Sequence, residues 1–242
     1  MTRIIDLSHP ILPGQSTHPG LPAPRWEIYR SRDDYRQAGG APFQIDQVTM
    51  VGNTGTYLDS PFHRFADGGD LASVALESVA DVPTVVLDVR GQRGVDSTRL
   101  TEGVEGVSLA GAAVVLHTGG DASWGTPAYA VDAPFLTEDG AAWLVTVGAV
   151  LVGIDSVNID DLADQQRPAH TVLLGSGVVI VEHLTNLVEL PPQGARFHAA
   201  PPAWHGVGTW PVRAYAVVGE QETRCLPSGF AGLESQAAPG LG

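Results

Sequence analysis

The chain has 242 residues, enough to bury one substantial core without a second domain. Its 27 acidic residues outnumber 13 basic ones, and a net charge of −14 argues against nucleic acid or an anionic membrane as a partner. A single cysteine, Cys225, leaves no internal disulfide. With no apolar signal region at the start and no run of spanning length, a soluble cytoplasmic protein is expected.

In chain order, Arg3–Ile11 reads as a short strand stopped at Pro10, and Leu12–Pro24 as a Pro- and Gly-rich loop. Residues 28–40 are polar and carry no clear period. Phe43–Met50 alternates apolar and polar like a half-buried strand, with a slip at Asp46-Gln47. Ala72–Val79 carries apolar residues at helical intervals. Val82–Val89, Ala112–Gly119 and Val150–Asp155 are short, β-branched and apolar, as buried strands are. Gly91–Leu109 reads as a charged loop, and Ser123–Pro127 as an aromatic one. Thr137 followed by Glu138 and Asp139 predicts a helix N-cap. Two readings stand for 168–184. Pro168 can start a short helix ended by Gly175 or Gly177, or a hairpin turning at Gly175-Ser176-Gly177 can set His170 opposite Glu182. Pro211–Val217 reads as a late strand, and Pro227–Gly242, small and polar, as a flexible tail behind a single domain over 1–226. Short strands alternating with helical patterns imply an α/β or mixed layered domain.

The densest chemistry lies in Val51–Asp70, where Asn53, Tyr57, Asp59 and His63 fall in one turn-rich stretch interrupted by Gly52, Gly55 and Pro61. An extended path there puts Asn53, Gly55, Tyr57 and Asp59 on one face. The stretch resembles the signature His-x-Gly-Thr-His-x-Asp-x-Pro-x-His of the cyclase family, the metal-dependent hydrolases that include bacterial kynurenine formamidase and isatin hydrolase. Gly55, Thr56, Asp59, Pro61 and His63 match in register, while Asn53 and Tyr57 stand where the signature has its first two histidines. Asp6–His9, Pro19-Gly20, Gly153–Asp155, Asp160, His170 and Glu182 also follow the family's pattern, so the resemblance spans roughly residues 3–218.

The resemblance implies an α/β fold with a β-barrel-like mixed core and flanking helices, in a homodimer or homotetramer. It implies a metal set of Asp59, His170 and Glu182. With two imidazoles replaced, at most one weakly held divalent ion (Zn²⁺ or Mn²⁺) is expected, and metal-free chemistry stays open. In a metal-free scheme His63 is a general base oriented by Asp59 or Glu182, with Tyr57 donating to a developing oxyanion. Asn53, Thr56, Phe65 and Trp204 are expected to bind substrate, whereas His9 and His18 read as ordinary polar contacts. The expected activity is hydrolysis of a C–N or C–O acyl bond in a small cyclic or aromatic amide, lactam or lactone. Acid/base ring closure or dehydration of a polyketide-like molecule, and ligand binding without turnover, are the alternatives.

Overall fold

The computed structural model describes residues 2–104 and 106–219, so the end of the expected domain at 226 and the tail 227–242 lie outside the described residues. The strands, in chain order, are β1 (Arg3–Asp6), β2 (Arg25–Arg30), β3 (Ile45–Thr49), β4 (Tyr57–Asp59), β5 (Val82–Asp88), β6 (Gly94–Val95) and β7 (Ala113–His117). They continue with β8 (Phe135–Leu136), β9 (Leu151–Ile154), β10 (Val179–Glu182), β11 (Gln193–His198), β12 (Thr209–Pro211) and β13 (Tyr215–Val218). Among the described residues four α-helices join them: α1 (Arg32–Gln37), α2 (Ser97–Glu102), α3 (Glu138–Thr146) and α4 (Pro168–Gly175).

Nine strands form one mixed sheet in the order β1-β13-β11-β5-β7-β9-β10-β4-β12. The central β5, β7, β9 and β10 are parallel and buried on both faces, which is why they read as continuous apolar runs. Alternate residues feed two cores. Val114 and Leu116 of β7 join Leu144 of α3 and Leu173 of α4 on one face, while Ala113 and Val115 meet Leu58, Phe197 and Ala216 on the other. Five strands separate β1 from β10 in the order, yet Ser8 bridges Leu184 just beyond them. That bridge requires the sheet to curl, so the core is barrel-like without closing: the edge strands β1 and β12 pair with no common neighbour.

Several elements depart from the sequence pattern. Residues 25–49 make a separate antiparallel hairpin, β2–β3, whose strand residues are all exposed, so the expected half-buried strand over 43–50 is not buried. Between its strands lies α1, held by a Ser31–Asp34 capping box. The helical spacing in 72–79 reflects a loop pinned by buried Leu71 and Val79, with one 3₁₀ turn at Leu76–Ser78. The expected loop over 91–109 contains β6 and α2, the latter capped by the Asp96 carboxylate accepting from the Arg99 amide at 2.8 Å. The late strand splits between β12 and β13 because its halves pair with different neighbours. Between the two readings of 168–184, the chain takes the helix, α4, followed by β10. No described helix is long and apolar enough to cross a membrane.

Candidate active site

Strand β4 lies between β10 and β12, and its register sets the site. Across the first ladder Tyr57 faces Glu182, and across the second Asp59 faces Thr209. Such directly opposed residues hold their side chains on the same face. Close approach here requires glycine. A Cβ on Gly52 would lie 2.3 Å from the Thr209 carbonyl oxygen, and one on Gly208 would lie 2.4 Å from the His63 amide nitrogen. Pro61 then starts a single 3₁₀ turn that returns His63 toward Asp59, with Nε2 3.8 Å from Oδ1.

Each of the two central imidazoles is oriented through its Nδ1. The Thr209 hydroxyl has one proton, which it donates to Asp59 Oδ1, so it accepts from His63 Nδ1–H at 2.6 Å. That leaves His63 Nε2 turned toward Asp59 Oδ1. His170, on the first turns of α4, donates Nδ1–H to Asp160 Oδ2 at 2.6 Å and turns Nε2 to within 3.7 Å of both Asp59 Oδ2 and Glu182 Oε1. The same Asp160 carboxylate accepts from the Ala169 and His170 amides, so it caps α4 from outside the chain's local N-cap at Arg167.

Charges are tightly linked in this interior. Burial opposes the His170 imidazolium, but the Asp160 and Asp59 carboxylates, with Glu182, outweigh it and push its pKa up to about 10. Burial likewise raises the Asp59 carboxyl, yet His63 and His170 hold it below the usual range. Burial and the Asp59 charge lift Glu182 to about 7, against the pull of His170. Tyr57 is fully buried and donates to Glu182 Oε2 at 2.5 Å; burial, then the Glu182 and Asp59 charges, push its pKa well above the ordinary phenol value. It is a neutral phenol. Behind it, His183 lies in an aromatic nest, with Nε2 3.3 Å from the Tyr57 hydroxyl and Nδ1 2.9 Å from the Tyr129 hydroxyl.

These groups floor a pocket of about 350 Å³. Tyr57, His63, His170 and Glu182 line it together with Asn53, Asn158, Arg64 and Arg167, and the loop residues His18–Leu21 complete the wall. Asn53 bears on the Tyr57 hydroxyl. Asp59 is completely buried beneath the imidazoles. The other three residues expected at substrate do not line the pocket. Thr56 donates to the His183 carbonyl at 2.6 Å and accepts from the His9 amide, which ties two loops together. Phe65 packs into the core beside Gly175, and Trp204 lies half-exposed against Trp210. His18, read as an ordinary polar contact, is in the wall; His9 instead stacks on Trp124 with ring centroids 4.0 Å apart.

The metal-capable set also differs from the expected one. The ligand atoms of Asp59, His63 and His170 lie within 4.8 Å of one another. Glu182 is not in that set; its Oε1 accepts from the Ile159 amide at 2.6 Å and its Oε2 from Tyr57, which leaves one lone pair on each oxygen. The trio fits one divalent ion. Asp59 Oδ2 is buried without a hydrogen-bond partner, and the charge that faces it in the metal-free chain is the His170 imidazolium, with Nε2 at 3.7 Å, whose place a divalent ion would take as that ring gives up its proton. Asp160 and Thr209 fix both imidazoles through Nδ1, as outer partners of metal-bound histidines do. Asn53 and Tyr57 supply no strong second set, because an amide is a weak neutral donor and the phenol is held neutral.

Thr209, Arg64, Arg167, Asn158 and His183 carried no sequence signal that singled them out. Thr209 comes from a strand 150 residues away from Asp59, and only the ladder register joins them. Asp160 fitted the family pattern, but its hold on His170 needs the fold of the loop before α4.

A family model described as "Putative cyclase" matches residues 5–161. The chain is 26% identical over 208 residues to the kynurenine formamidase of Polaromonas naphthalenivorans (strain CJ2), covering 82% of this chain and 88% of the relative. It is 29% identical over 182 residues to the kynurenine formamidase of Bacillus cytotoxicus, covering 74% and 81%. The solved isatin hydrolase A from Ralstonia solanacearum has the same fold, with a TM-score of 0.78 at 24% identity over 90% of this chain and 92% of that one. Because the family match takes in more than half of the sequence, including Asn53, Tyr57, Asp59 and His63, the chain belongs to the cyclase family.

Proposed function

We propose that this protein hydrolyses the C–N bond of a small aromatic or cyclic amide. The observation that carries the reading is the buried, unpartnered Asp59 Oδ2 between two imidazoles at the floor of a pocket sized for one small ring system. The relatives named kynurenine formamidase support the same reaction class. Asp59, His63 and His170 would hold one divalent ion, with Thr209 and Asp160 aiming the two rings. Such an ion, when bound, polarises a carbonyl and brings the pKa of water toward neutrality.

Glu182 is the proton carrier in this reading. It lines the pocket 3.7 Å from His170 Nε2, and its environment places its pKa near the operating range. It takes a proton from the attacking water as the new C–O bond forms, then gives it to the leaving nitrogen as the C–N bond breaks. Tyr57 fixes the acceptor oxygen, and Asn53 bears on Tyr57. His63 and Glu182 thus exchange the roles expected from sequence. A panel of formanilides and lactams tests the proposal by release of acid and free amine. Loss of turnover on chelation, with recovery on adding Zn²⁺ or Mn²⁺, is the expected result; absence of turnover across the metal-loaded panel would overturn it.

The protein acts as an assembly of identical chains in this reading. Along the β2–β3 ladder Trp26 pairs with Val48, Ile28 follows two residues on, and all three are exposed on one face. A two-stranded hairpin with a bare apolar face is marginal alone in water, and a second copy covering it supplies the missing burial.

A further inference from the structure

All 13 basic residues of the chain are arginines, and most of those in the described part meet an acid. Arg64 and Arg167 do not: none of the ion pairs among the described residues includes either, and both line the pocket. Each is tethered from one side by neutral acceptors. Arg64 Nε donates to Thr171 Oγ1 at 3.1 Å and its Nη2 to the Gln166 carbonyl at 3.4 Å. Arg167 Nη1 donates to Asn158 Oδ1 at 3.3 Å and to the Asp161 carbonyl at 3.1 Å. The nearby Asp161 carboxylate is taken by Arg93 through both oxygens. With five N–H groups on each guanidinium, every tether leaves a free donor edge.

Position separates these cations from the buried acids. Asp59, Glu182 and Asp160 are almost wholly buried at the floor, whereas Arg64 is exposed and Arg167 half-buried. Arg167 is held in the left-handed region at φ +53 immediately before Pro168, which fixes its backbone where α4 begins. In a chain of net charge −14, two unpaired guanidiniums at one pocket form the local positive counterpoint. A planar guanidinium fork matches a carboxylate bidentately, and an apolar amide would leave these donors unanswered.

We propose that the pocket rim is an anion subsite in which the free edges of Arg64 and Arg167 bind a carboxylate on the substrate, so that the amide being cleaved belongs to an aromatic acid. This rests on the hydrolase reading for the reaction, but not for the binding. With the metal-loaded enzyme, kcat/KM is compared for 3-formamidobenzoate, 4-formamidobenzoate and formanilide. At least one acid is expected to be preferred over formanilide by ten-fold or more, and Arg64→Gln and Arg167→Gln should each bring that ratio toward one. The ratio does not change with the fraction of folded enzyme, and exposed Arg64 gives a variant whose loss leaves the core intact. Calorimetry with benzoate, phenylphosphonate and benzamide reads the subsite without turnover; benzoate should bind most tightly and weaken at least five-fold in either variant. Equal turnover of acids and formanilide, or benzoate binding no tighter than benzamide, would overturn the subsite while leaving the hydrolase reading intact. Arginine-dependent benzoate binding without turnover of any substrate would do the reverse. Tighter phenylphosphonate binding would replace the carboxylate by a phosphoryl group and overturn the proposal as stated.

Discussion

Tyr57 and Glu182 stand directly opposite each other across the antiparallel β4–β10 ladder, and the phenol gives its single proton to Glu182 Oε2 at 2.5 Å. A residue that occupies a histidine position of the signature is therefore tied to a carboxylate. An oxyanion would have to compete for that proton, so Tyr57 acts mainly by setting the basicity of Glu182. The hydrogen bond lowers the Glu182 pKa against burial. Tyr57→Phe removes it, so the Glu182 pKa rises and less carboxylate is present at neutral pH. The acid limb of the kcat/KM profile should move to higher pH, with activity at pH 7 falling ~10–100-fold. An unchanged profile would take Tyr57 and Glu182 out of proton transfer.

Asp160 is the partner that turns His170 toward Asp59. Asp160→Asn keeps the volume but loses the charge-assisted bond and weakens the cap on α4. Metal affinity should fall ~10–100-fold, read by competition with a chromophoric chelator. Retention of full affinity would show that packing alone orients the ring.

The parallel core strands were legible in sequence because burial on both faces leaves continuous β-branched runs, as in Ala113–His117. The Thr137 cap was equally legible, since its hydroxyl meets the Gly140 amide within the same turn. At the site, Asp59, His63, His170 and Glu182 were recognisable through a motif, and their pocket companions were not. Thr209 reaches Asp59 and His63 through ladder register, and Arg167 reaches the pocket through a loop held at positive φ, neither of which leaves a local period. The exposed hairpin misled for a related reason. Alternation reports that one face is apolar, not whether the same chain covers it.

His183 sits fully buried among Tyr57, Tyr129 and Trp124, and burial depresses its pKa to about 3. The unfolded chain protonates this ring near 6.5 while the folded one does not. Its contribution to stability is therefore complete above pH 6.5 and falls by about 1.4 kcal/mol per pH unit as pH drops from there toward 3. His183→Asn suits the left-handed backbone at φ +58 and removes the titration. Urea unfolding between pH 7 and 4.5 should show a steeper loss in the native sequence than in the variant. Parallel curves would mean that the ring charges in the folded state.

The hairpin proposal predicts a change of assembly. Trp26→Ser with Ile28→Ser should leave the nine-stranded sheet intact, because neither residue belongs to its core, and should shift light scattering toward the monomer mass. A native protein that is already monomeric at micromolar concentration would sink the idea, as would an oligomer indifferent to both substitutions.

The two departures from the signature make the sharpest test, because they are adjacent to a carboxylate that a second ion would need. Asn53 and Tyr57 both line the pocket, and Asn53 bears on the Tyr57 hydroxyl. Tyr57 is also what occupies Glu182 Oε2. Replacing the pair by histidines would free that oxygen and add two neutral imidazole donors beside Asp59. Structural and catalytic sites alike need three or four strong donors, and the present residues supply one such set. The native chain should therefore bind at most one equivalent of Zn²⁺ or Mn²⁺, whereas Asn53→His with Tyr57→His should bind close to two by elemental analysis. His63→Ala in the native background should lower the single equivalent, since His63 belongs to the set in hand. Two tightly held ions in the native protein would show that an amide and a phenol suffice where imidazoles are the rule. A double variant that still holds one ion would place the limit in backbone geometry, and the glycine-permitted approach of Gly52 to the Thr209 carbonyl would then be the first feature to examine.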